Sequence, residues 1–359
     1  MHEDRLRELR GEIDVINLQI LELLTQRARI VSAIGRVQQT LGTSFYDPER
    51  EAEMLSALQQ ANEGPFSNET ISALFSEIFR ASLALEEEEA LAKILVQRHY
   101  PDEHTVITMA DGAEVGAGDF TVISGPCAIE SAEQVDEVAE ALAVRGVRFL
   151  RGMGWKPRTS PYDFQGLGME GLRIARQVAN RHNMFIVSEV MDKSLISEMS
   201  EYVDVFWVGA RNMSNSFLLK ALGQVRQPVI LKRSFGATIQ EFLYAAEYIA
   251  SSGNPNVILM ERGTRTFETR TRNTLDLSAV ALLKLESHLP VVVDISHSAG
   301  RRDIAIPLAR AAKAVGADGL MFECHPNPPV AMSDAKQQLS IPEMHALMDE
   351  IADEQKVLA

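Results

Sequence analysis

The N-terminal quarter of the chain carries apolar side chains at steps of three and four residues, which is the period of an α-helix. These positions run from Leu6 to Val37 without an intervening proline. They predict one helix over residues 4–40, roughly 55 Å long at about 1.5 Å per residue. A helix of that length exceeds the size of a small bundle, so we expect its apolar stripe to meet a second copy of the chain.

Two shorter helices are predicted to follow. Asp47-Pro48 is typical of a helix start, because proline is tolerated in the first turn, and the Asn-Glu-Gly-Pro sequence at 62–65 ends the periodic pattern. A third helix is predicted from Asn68. We therefore expect a helical domain over residues 1–92, followed by a linker and a small hairpin over residues 93–118.

The pattern changes over residues 119–359, where short apolar segments alternate with amphipathic helices. Eight such strand–helix units are the number found in a (β/α)8 barrel. A doubly wound sheet shares the alternation and is the alternative. The predicted fold class is α/β, a TIM barrel behind an N-terminal all-α three-helix domain. The predicted strands are 120–127, 147–153, 184–190, 203–209, 228–233, 256–261, 290–296 and 319–324.

The charge balance narrows the classes of function. The chain has 35 Lys+Arg against 50 Asp+Glu, a formal charge of −15, and 46% of its residues are hydrophobic. General nucleic-acid and anionic-membrane binders need a basic surface. No apolar run is long enough to span a membrane, the N-terminus lacks a secretory pattern, and two cysteines cannot form a disulfide framework. We expect a cytoplasmic protein that binds neither nucleic acid nor membranes.

Basic residues nevertheless concentrate where a barrel places its functional groups, after the C-terminal ends of the predicted strands. On an acidic chain, cations gather at one rim where an anionic ligand neutralises them, and Arg and Lys suit phosphate and carboxylate. This predicts one or two small, multiply anionic ligands. The residues are Arg151, Lys156, Arg158, Arg211, Lys232, Arg233 and Arg262.

A second set at the same predicted rim combines sulfur, nitrogen and oxygen donors. Cys127, His297, Glu323 and Asp334 would suit Zn²⁺, Mn²⁺, Fe²⁺ or Co²⁺. From spacing alone, a buried structural thiol and a hydrogen-bonded loop histidine are interpretations of equal weight. Cys324 is expected to face the core, because side chains alternate along a strand.

Nine short segments of the chain carry a resemblance to one known family. They are Gly125-Pro-Cys-Ala-Ile-Glu-Ser131, Lys156-Pro-Arg-Thr-Ser-Pro161, Gly209-Ala-Arg-Asn-Met213, Leu231-Lys-Arg, Glu261-Arg-Gly263, Arg272-Asn-Thr-Leu-Asp276, His297-Ser-Ala-Gly-Arg-Arg302, Glu323-Cys-His-Pro326 and Ser333-Asp-Ala-Lys-Gln-Gln338. Together these segments resemble the 3-deoxy-D-arabino-heptulosonate-7-phosphate (DAHP) synthase family, in the form that carries an N-terminal chorismate-mutase domain. The resemblance implies condensation of phosphoenolpyruvate with erythrose 4-phosphate and release of phosphate, the first step of the shikimate pathway. The alternative is 3-deoxy-D-manno-octulosonate-8-phosphate synthase, which shares the barrel and the phosphoenolpyruvate chemistry.

The resemblance also implies roles for the candidate residues. The expected catalytic residues are Lys156, Cys127 and His297. Lys156 is a candidate proton donor, because clustered cations are expected to lower its pKa; the alternative is that it only binds phosphate. The metal ligands would be Cys127, His297, Glu323 and Asp334. The expected metal is Mn²⁺, with Co²⁺, Fe²⁺ or Zn²⁺ as alternatives. Phosphoenolpyruvate would contact Arg151, Lys156, Arg211, Lys232 and Arg262. Erythrose 4-phosphate would contact Arg158, Thr159 and Ser160.

The helical domain resembles the all-helical chorismate mutases. Arg10 and Arg27 lie about 25 Å apart along one helix, so they share a pocket only if Arg10 comes from a partner chain. Gln38 and Glu86 stand where the family has a lysine and a glutamine, and an ionised Glu86 accepts hydrogen bonds but cannot donate them. We expect weak or absent mutase activity and a pocket that senses chorismate or prephenate; a fully active mutase is the alternative. The other matching positions are Asp47, Arg50, Glu51 and Ser82.

The expected assembly is a homo-oligomer, a dimer through the N-terminal helices and a tetramer overall. One alternative treats these helices as a dimerisation module only. Another treats the barrel as an inactive ligand-binding regulator.

Overall fold

The computed structural model describes residues 2–41, 44–91, 94–157, 160 and 162–352, without the side chains of 39–41 and 87–91. The chain divides into two compact units, Met1–Ile94 and Leu95–Ala359. We call them the helical unit and the barrel unit.

The helical unit contains the three predicted helices, α1 (His2–Leu41), α2 (Pro48–Gln60) and α3 (Asn68–Leu91). Asp47 caps α2 by accepting a hydrogen bond from the Arg50 amide, and Pro48 stands in the first turn, as the sequence predicts. The apolar residues of α1 remain uncovered by their own chain: Ile13, Leu23 and Ile30 are 56%, 64% and 62% exposed.

The barrel unit closes eight parallel strands into a ring, so the predicted TIM barrel is confirmed and the doubly wound alternative is wrong. Around the ring the order is β10-β3-β4-β5-β6-β7-β8-β9. These strands are β3 (Thr121–Gly125), β4 (Phe149–Arg151), β5 (Phe185–Glu189), β6 (Val205–Val208), β7 (Val229–Lys232), β8 (Val257–Glu261), β9 (Val291–Asp294) and β10 (Gly319–Glu323).

Helices follow the strands and cover the outside of the ring. They are α4 (Ala132–Ala143), α5 (Met169–Arg181), α6 (Ile196–Met199), α7 (Ser216–Leu222), α8 (Ile239–Ala250), α9 (Leu277–Glu286), α10 (Ile295–Ala299), α11 (Ala305–Ala314) and α12 (Ile341–Ala352), with 3₁₀ turns at Lys193–Leu195 and Pro328–Val330. No helix in the described part of the chain is long and apolar enough to cross a membrane.

A hairpin of two short antiparallel strands, β1 (Ile107–Thr108) and β2 (Glu114–Val115), closes one end of the barrel. Ile107 and Val115 are 1% exposed and belong to the same apolar cluster as the inward-facing side chains of the barrel strands. The Thr105 amide donates to the His288 carbonyl at 2.7 Å, just before β9 begins. The hairpin therefore lies at the N-terminal end of the strands, and the opposite end remains for function.

Candidate active site

The C-terminal ends of the barrel strands meet around a cavity of about 270 Å³. Strand polarity places the functional residues there, because each lies at or just after the end of its strand. Lys156, Arg211, Lys232, Arg262, His297 and Asp334 line the cavity, as the sequence predicts, together with Arg272, Glu189, Trp207 and Phe235.

Cys127, Lys156 and Asp334 form a tight cluster at one side of this cavity. The Lys156 ammonium donates to Cys127 Sγ at 2.7 Å and to Asp334 Oδ2 at 2.8 Å. Cys127 is fully buried, and this burial raises the pKa of its thiol. Burial alone would raise the pKa of Asp334, but Lys156 and His297 hold it well below its ordinary value. The cluster is a neutral thiol beside a paired ammonium and carboxylate.

The expectation that neighbouring cations lower the pKa of Lys156 is wrong. Burial alone would lower it, but Cys127 and the carboxylates of Glu323 and Asp334 raise the pKa above its ordinary value. These groups are acidic because the Lys156 side chain points into the donor set, where its ammonium contacts Cys127 and Asp334. Lys156 is therefore protonated at neutral pH.

His297 is oriented by a carboxylate that the sequence reasoning did not single out. Its Nδ1 lies 2.9 Å from Asp294 Oδ2, and the Asp294 side chain also accepts from the His297 amide. Burial lowers the pKa of His297 although Asp294 and Glu323 oppose that shift, so the ring is neutral at neutral pH. Its Nε2 then faces Glu323 Oε1 at 3.4 Å and Asp334 Oδ2 at 3.9 Å.

These four side chains fit a divalent metal ion. Ligand atoms of Cys127, Glu323 and Asp334 all lie within 4.8 Å of one another, and His297 Nε2 reaches two of the three. Among the described residues, Glu323 Oε1 is a buried carboxylate oxygen without a hydrogen-bond donor, although Arg151 Nη2 lies 3.2 Å away. A mixed set of thiol, imidazole and carboxylates suits Mn²⁺, Fe²⁺, Co²⁺ or Zn²⁺.

Two buried cations flank Trp207 at the bottom of the cavity. The Arg151 guanidinium lies 4.8 Å from the centre of the indole ring and Lys232 Nζ lies 5.0 Å from it. Lys232 also donates to Asp294 at 2.6 Å. Arg151 is fully buried and lies behind the cavity lining. The resemblance predicts that Arg151 contacts substrate; in the structure its guanidinium lies between Glu323 and Trp207.

Arg262 has a guanidinium nitrogen available to an anion. One Nη donates to the His297 carbonyl at 3.0 Å, and the side chain stacks 4.7 Å from the centre of the Phe235 ring. The other Nη is buried and has no acceptor among the described residues. Burial lowers the pKa of Arg262 to about 10, so the group keeps its charge at neutral pH. A buried, charged and unsatisfied donor on a cavity wall favours an anionic ligand.

The helical unit contains its own cavity, of about 580 Å³. The Arg27 guanidinium donates to the Ser82 hydroxyl and lies 5.2 Å from the centre of the Phe79 ring. Glu86 is 9% exposed. Arg10 does not belong to the described lining of this cavity. The predicted residues that do line the cavity are Arg27, Gln38, Asp47, Arg50, Glu51, Ser82 and Glu86.

Two family models cover most of the chain. Residues 104–358 match the model described as the DAHP synthetase I family, and residues 9–87 match chorismate mutase type II. The chain belongs to the DAHP synthetase I family. It carries a chorismate mutase type II domain at its N-terminus.

Individual relatives agree. The phospho-2-dehydro-3-deoxyheptonate aldolase of Thermotoga maritima is 51% identical over 265 residues, 74% of this chain and 77% of the relative. A 2-dehydro-3-deoxyphosphooctonate aldolase of Syntrophotalea carbinolica is 31% identical over 264 residues, 68% of this chain and 94% of the relative.

Two solved structures are also similar to this chain. The crystal structure of the Thermotoga maritima DAHP synthase superposes with a TM-score of 0.71 at 49% identity, over 74% of this chain and 77% of that one. A truncated form of the Thermotoga maritima enzyme gives a TM-score of 0.68 at 46% identity, over 74% and 97% of the two chains.

The structure adds residues that the sequence reasoning missed. Glu189 ends β5 and lines the cavity; its carboxylate fills the space that a side chain at Gly209 would need. Arg272 also lines the cavity, and a Cβ at Gly300 would lie 2.6 Å from Arg272 Cβ. Glu189 was predictable in the same way as the cations, because functional residues of a barrel lie at the C-terminal ends of its strands. Arg272 is the first residue of the Arg272-Asn-Thr-Leu-Asp276 segment, but its place in the sequence does not by itself indicate a contact with the cavity.

Three predicted residues belong to the loop after β4. Arg158 and Thr159 lie outside the described residues. Ser160 is half-buried, and its hydroxyl accepts from the Tyr162 amide at 3.3 Å. It does not line the described cavity.

Proposed function

We propose that the barrel unit condenses phosphoenolpyruvate with erythrose 4-phosphate to form DAHP and phosphate, the first step of the shikimate pathway, in a metal-dependent reaction. The observation that carries the proposal is that one cavity is lined both by cations and by members of the buried set of sulfur, nitrogen and oxygen ligands. The synthase domain corresponds to residues 119–359 and the helical regulatory domain to residues 1–92, joined by 93–118.

The cations bind and orient phosphoenolpyruvate, which carries a phosphate and a carboxylate. Lys232 and Arg262 lie deep and Arg211 lies at the exposed rim, so the three can bind both charged ends. Arg151 does not line the cavity, but its guanidinium packs against Trp207, which also contacts Lys232. By resemblance, Arg158, Thr159 and Ser160 hold the phosphate of erythrose 4-phosphate.

Cys127, His297, Glu323 and Asp334 would hold the divalent metal, with Mn²⁺ as our first choice. When bound, the metal would polarise the erythrose aldehyde as a Lewis acid. Lys156 carries a proton at Nζ within 3 Å of two of these side chains. That position suits donation of a proton to the aldehyde oxygen as the new carbon–carbon bond forms.

The test compares two aldehyde substrates and two metal states. Phosphate release with erythrose 4-phosphate should far exceed release with arabinose 5-phosphate, in keeping with the greater identity to the heptonate than to the octonate aldolases. Chelation should abolish the activity and Mn²⁺ should restore it. Equal rates with arabinose 5-phosphate, or full activity after chelation, would reject the corresponding part of the proposal. Synthase activity of the untreated chain would also exclude the alternative in which the barrel is an inactive ligand-binding regulator.

For the helical unit we propose a feedback sensor for chorismate or prephenate with weak or absent mutase activity. The cavity combines Arg27 and Arg50, which suit carboxylates, with Glu86 and Gln38 where the family has a glutamine and a lysine. Calorimetric titration of the full chain with prephenate, followed by synthase assays at saturating prephenate, tests this function. Absence of binding would leave dimerisation as the role of these helices.

The assembly and location are part of the same proposal. The exposed apolar stripe of α1 would be covered by the α1 of a second copy, which would also bring the partner's Arg10 to the cavity. A tetramer in the cytoplasm is the expected state, and light scattering of the full chain measures its size.

A further inference from the structure

Gln337 lies between the cavity and the donor set. Its Nε2 donates to Glu323 Oε2 at 2.6 Å, and its Oε1 accepts from Arg272 Nη1 at 3.1 Å. Gln337 is 5% exposed and Glu323 is fully buried, whereas Arg272 lines the cavity. One amide therefore joins a cation of the cavity to a carboxylate of the donor set.

The chemistry of the two neighbours fixes the orientation of this amide. A guanidinium only donates hydrogen bonds and an ionised carboxylate only accepts them, so the carbonyl end of Gln337 must face Arg272 and the NH₂ end must face Glu323. The bond occupies Oε2 of Glu323 and leaves Oε1, which has no donor among the described residues. The neutral amide of Gln337 separates Arg272 from Glu323, so Arg272 does not pair directly with this carboxylate, whose Oε1 faces Arg151 Nη2 at 3.2 Å and His297 Nε2 at 3.4 Å.

The adjacent residue provides a contrast. Gln338 is fully buried, and its side chain bonds only backbone in the described structure: Oε1 accepts from the Cys127 amide at 3.0 Å and Nε2 donates to the Ser333 carbonyl at 2.8 Å. Gln338 thus fixes the two loops that carry Cys127 and Asp334. Gln337 alone of this pair connects charged side chains.

We propose that Gln337 is a positioning residue that couples anion binding at Arg272 to metal binding at Glu323. An anion on Arg272 fixes its guanidinium, which fixes the Gln337 amide and therefore the carboxylate of Glu323 in the orientation that presents Oε1 to the metal. The inference rests on the proposed function, because it takes the donor set to be a metal site. By linkage, the metal must then tighten anion binding by the same factor.

The experiment measures Mn²⁺ affinity by calorimetry on the full chain, with and without saturating sulfate as the anion probe. In the unmodified protein, sulfate should tighten Mn²⁺ binding about 5-fold or more, the usual lower range of coupling between sites. Gln337→Leu should weaken Mn²⁺ binding by about 10–100-fold, as expected for loss of a hydrogen bond to a metal ligand, and should abolish the effect of sulfate. Arg272→Met should abolish the effect of sulfate, and it should reduce the sulfate-free Mn²⁺ affinity by less than Gln337→Leu does, because the Gln337 amide still donates to Glu323.

A second variant guards against a folding defect. Gln337→Glu has nearly the same shape and still accepts from Arg272, but it cannot donate to Glu323 when ionised, so it should weaken both Mn²⁺ and sulfate binding. Gln227→Leu is the control, because that amide donates to the Ser200 carbonyl at 3.3 Å outside the site, and it should change neither affinity. The thiolate-to-Co²⁺ absorption band reports whether Cys127 still binds the metal in each variant.

The outcomes separate the two proposals. If the unmodified protein binds no Mn²⁺, the metal-dependent function is wrong and the coupling falls with it. If the unmodified protein binds Mn²⁺ and Gln337→Leu matches it with and without sulfate, the metal site stands and the role of Gln337 is rejected.

Discussion

The ammonium of Lys156 lies 2.7 Å from the sulfur of Cys127, closer to this thiol than to Asp334 at 2.8 Å. A metal ion in the donor set must share the carboxylates with this cation. Lys156 should therefore oppose metal binding by charge repulsion, although it also carries the proton that we propose it donates to the aldehyde.

Replacement of Lys156 by methionine should separate these two effects. Mn²⁺ should bind at least as tightly, because a competing positive charge has been removed, whereas kcat should fall by about 10²–10⁴, the usual contribution of a proton donor. Calorimetry gives the first value and phosphate release the second. Lys193→Met is the control, since Lys193 stacks on Phe217 away from the site. A large loss of metal affinity with unchanged kcat would contradict the assignment.

The two cysteines should respond differently to substitution. Cys127→Ser should lose the thiolate-to-Co²⁺ absorption and most of the synthase activity, because a hydroxyl is a much poorer ligand for these metals. Cys324 is equally buried but lies outside the donor set, and burial raises its pKa to about 12. Cys324→Ala should keep the absorption band and the activity, with only a packing loss in thermal unfolding. Loss of the band in both variants would point to a general folding defect.

Metal affinity should increase with pH. The pKa of Cys127 is raised by burial, so the thiol is protonated at neutral pH and must lose its proton to bind the metal. The pKa of His297 is lowered, so the imidazole contributes no proton at or above neutral pH. Calorimetry in buffers of different ionisation enthalpy should show release of about one proton per metal. Affinity that is independent of pH from 6 to 9 would mean that Cys127 is not a ligand.

Asp294 should be required for stability as well as for the orientation of His297. Asp294→Asn leaves Lys232 buried without its counterion, which should lower the free energy of unfolding by about 3–5 kcal/mol. Asp294 and Asp303 both have a pKa below the ordinary value, but Asp303 pairs with Arg301 at the surface, so Asp303→Asn should change little. Denaturant titration measures both variants.

The pH dependence of that difference has a definite sign. Burial alone would raise the pKa of Asp294, but His297 and Lys232 hold it well below its ordinary value. A carboxylate with a depressed pKa in the folded state stabilises the protein fully above its unfolded pKa, about 4. The stability gap to Asp294→Asn should therefore be complete at neutral pH and shrink as the pH falls through the folded pKa.

Glu86 should limit mutase activity in the helical unit. Glu86→Gln restores a side chain that donates hydrogen bonds at every pH, so chorismate consumption at pH 7 should rise, and further when combined with Gln38→Lys. Glu53→Gln is the control, because Glu53 pairs with Arg50 at the surface. Full mutase activity of the unmodified chain at pH 7 would reject the sensor interpretation.

The sequence could predict what depends on local pattern. The eight strands were predictable because a parallel strand buried on both faces is an apolar segment, and the strand-end rule then brought Lys232, Arg262 and His297 to one rim. The acidic surroundings of Lys156 were not predictable, since they depend on which way one side chain turns in a loop. The proposed role of Gln337 was also not predictable, because it depends on contacts with Glu323 on β10 and with Arg272 in the loop after β8.

The hairpin closes the N-terminal end of the barrel, opposite the cavity. In the proposed reaction, two substrates and two products would therefore enter and leave at the C-terminal end of the strands. Lys232 lies at the bottom beside Trp207, while Arg211 lies at the exposed rim, so a ligand seated deep is covered by whatever binds above it. We therefore expect the substrate that binds the deep cations to bind before the other one.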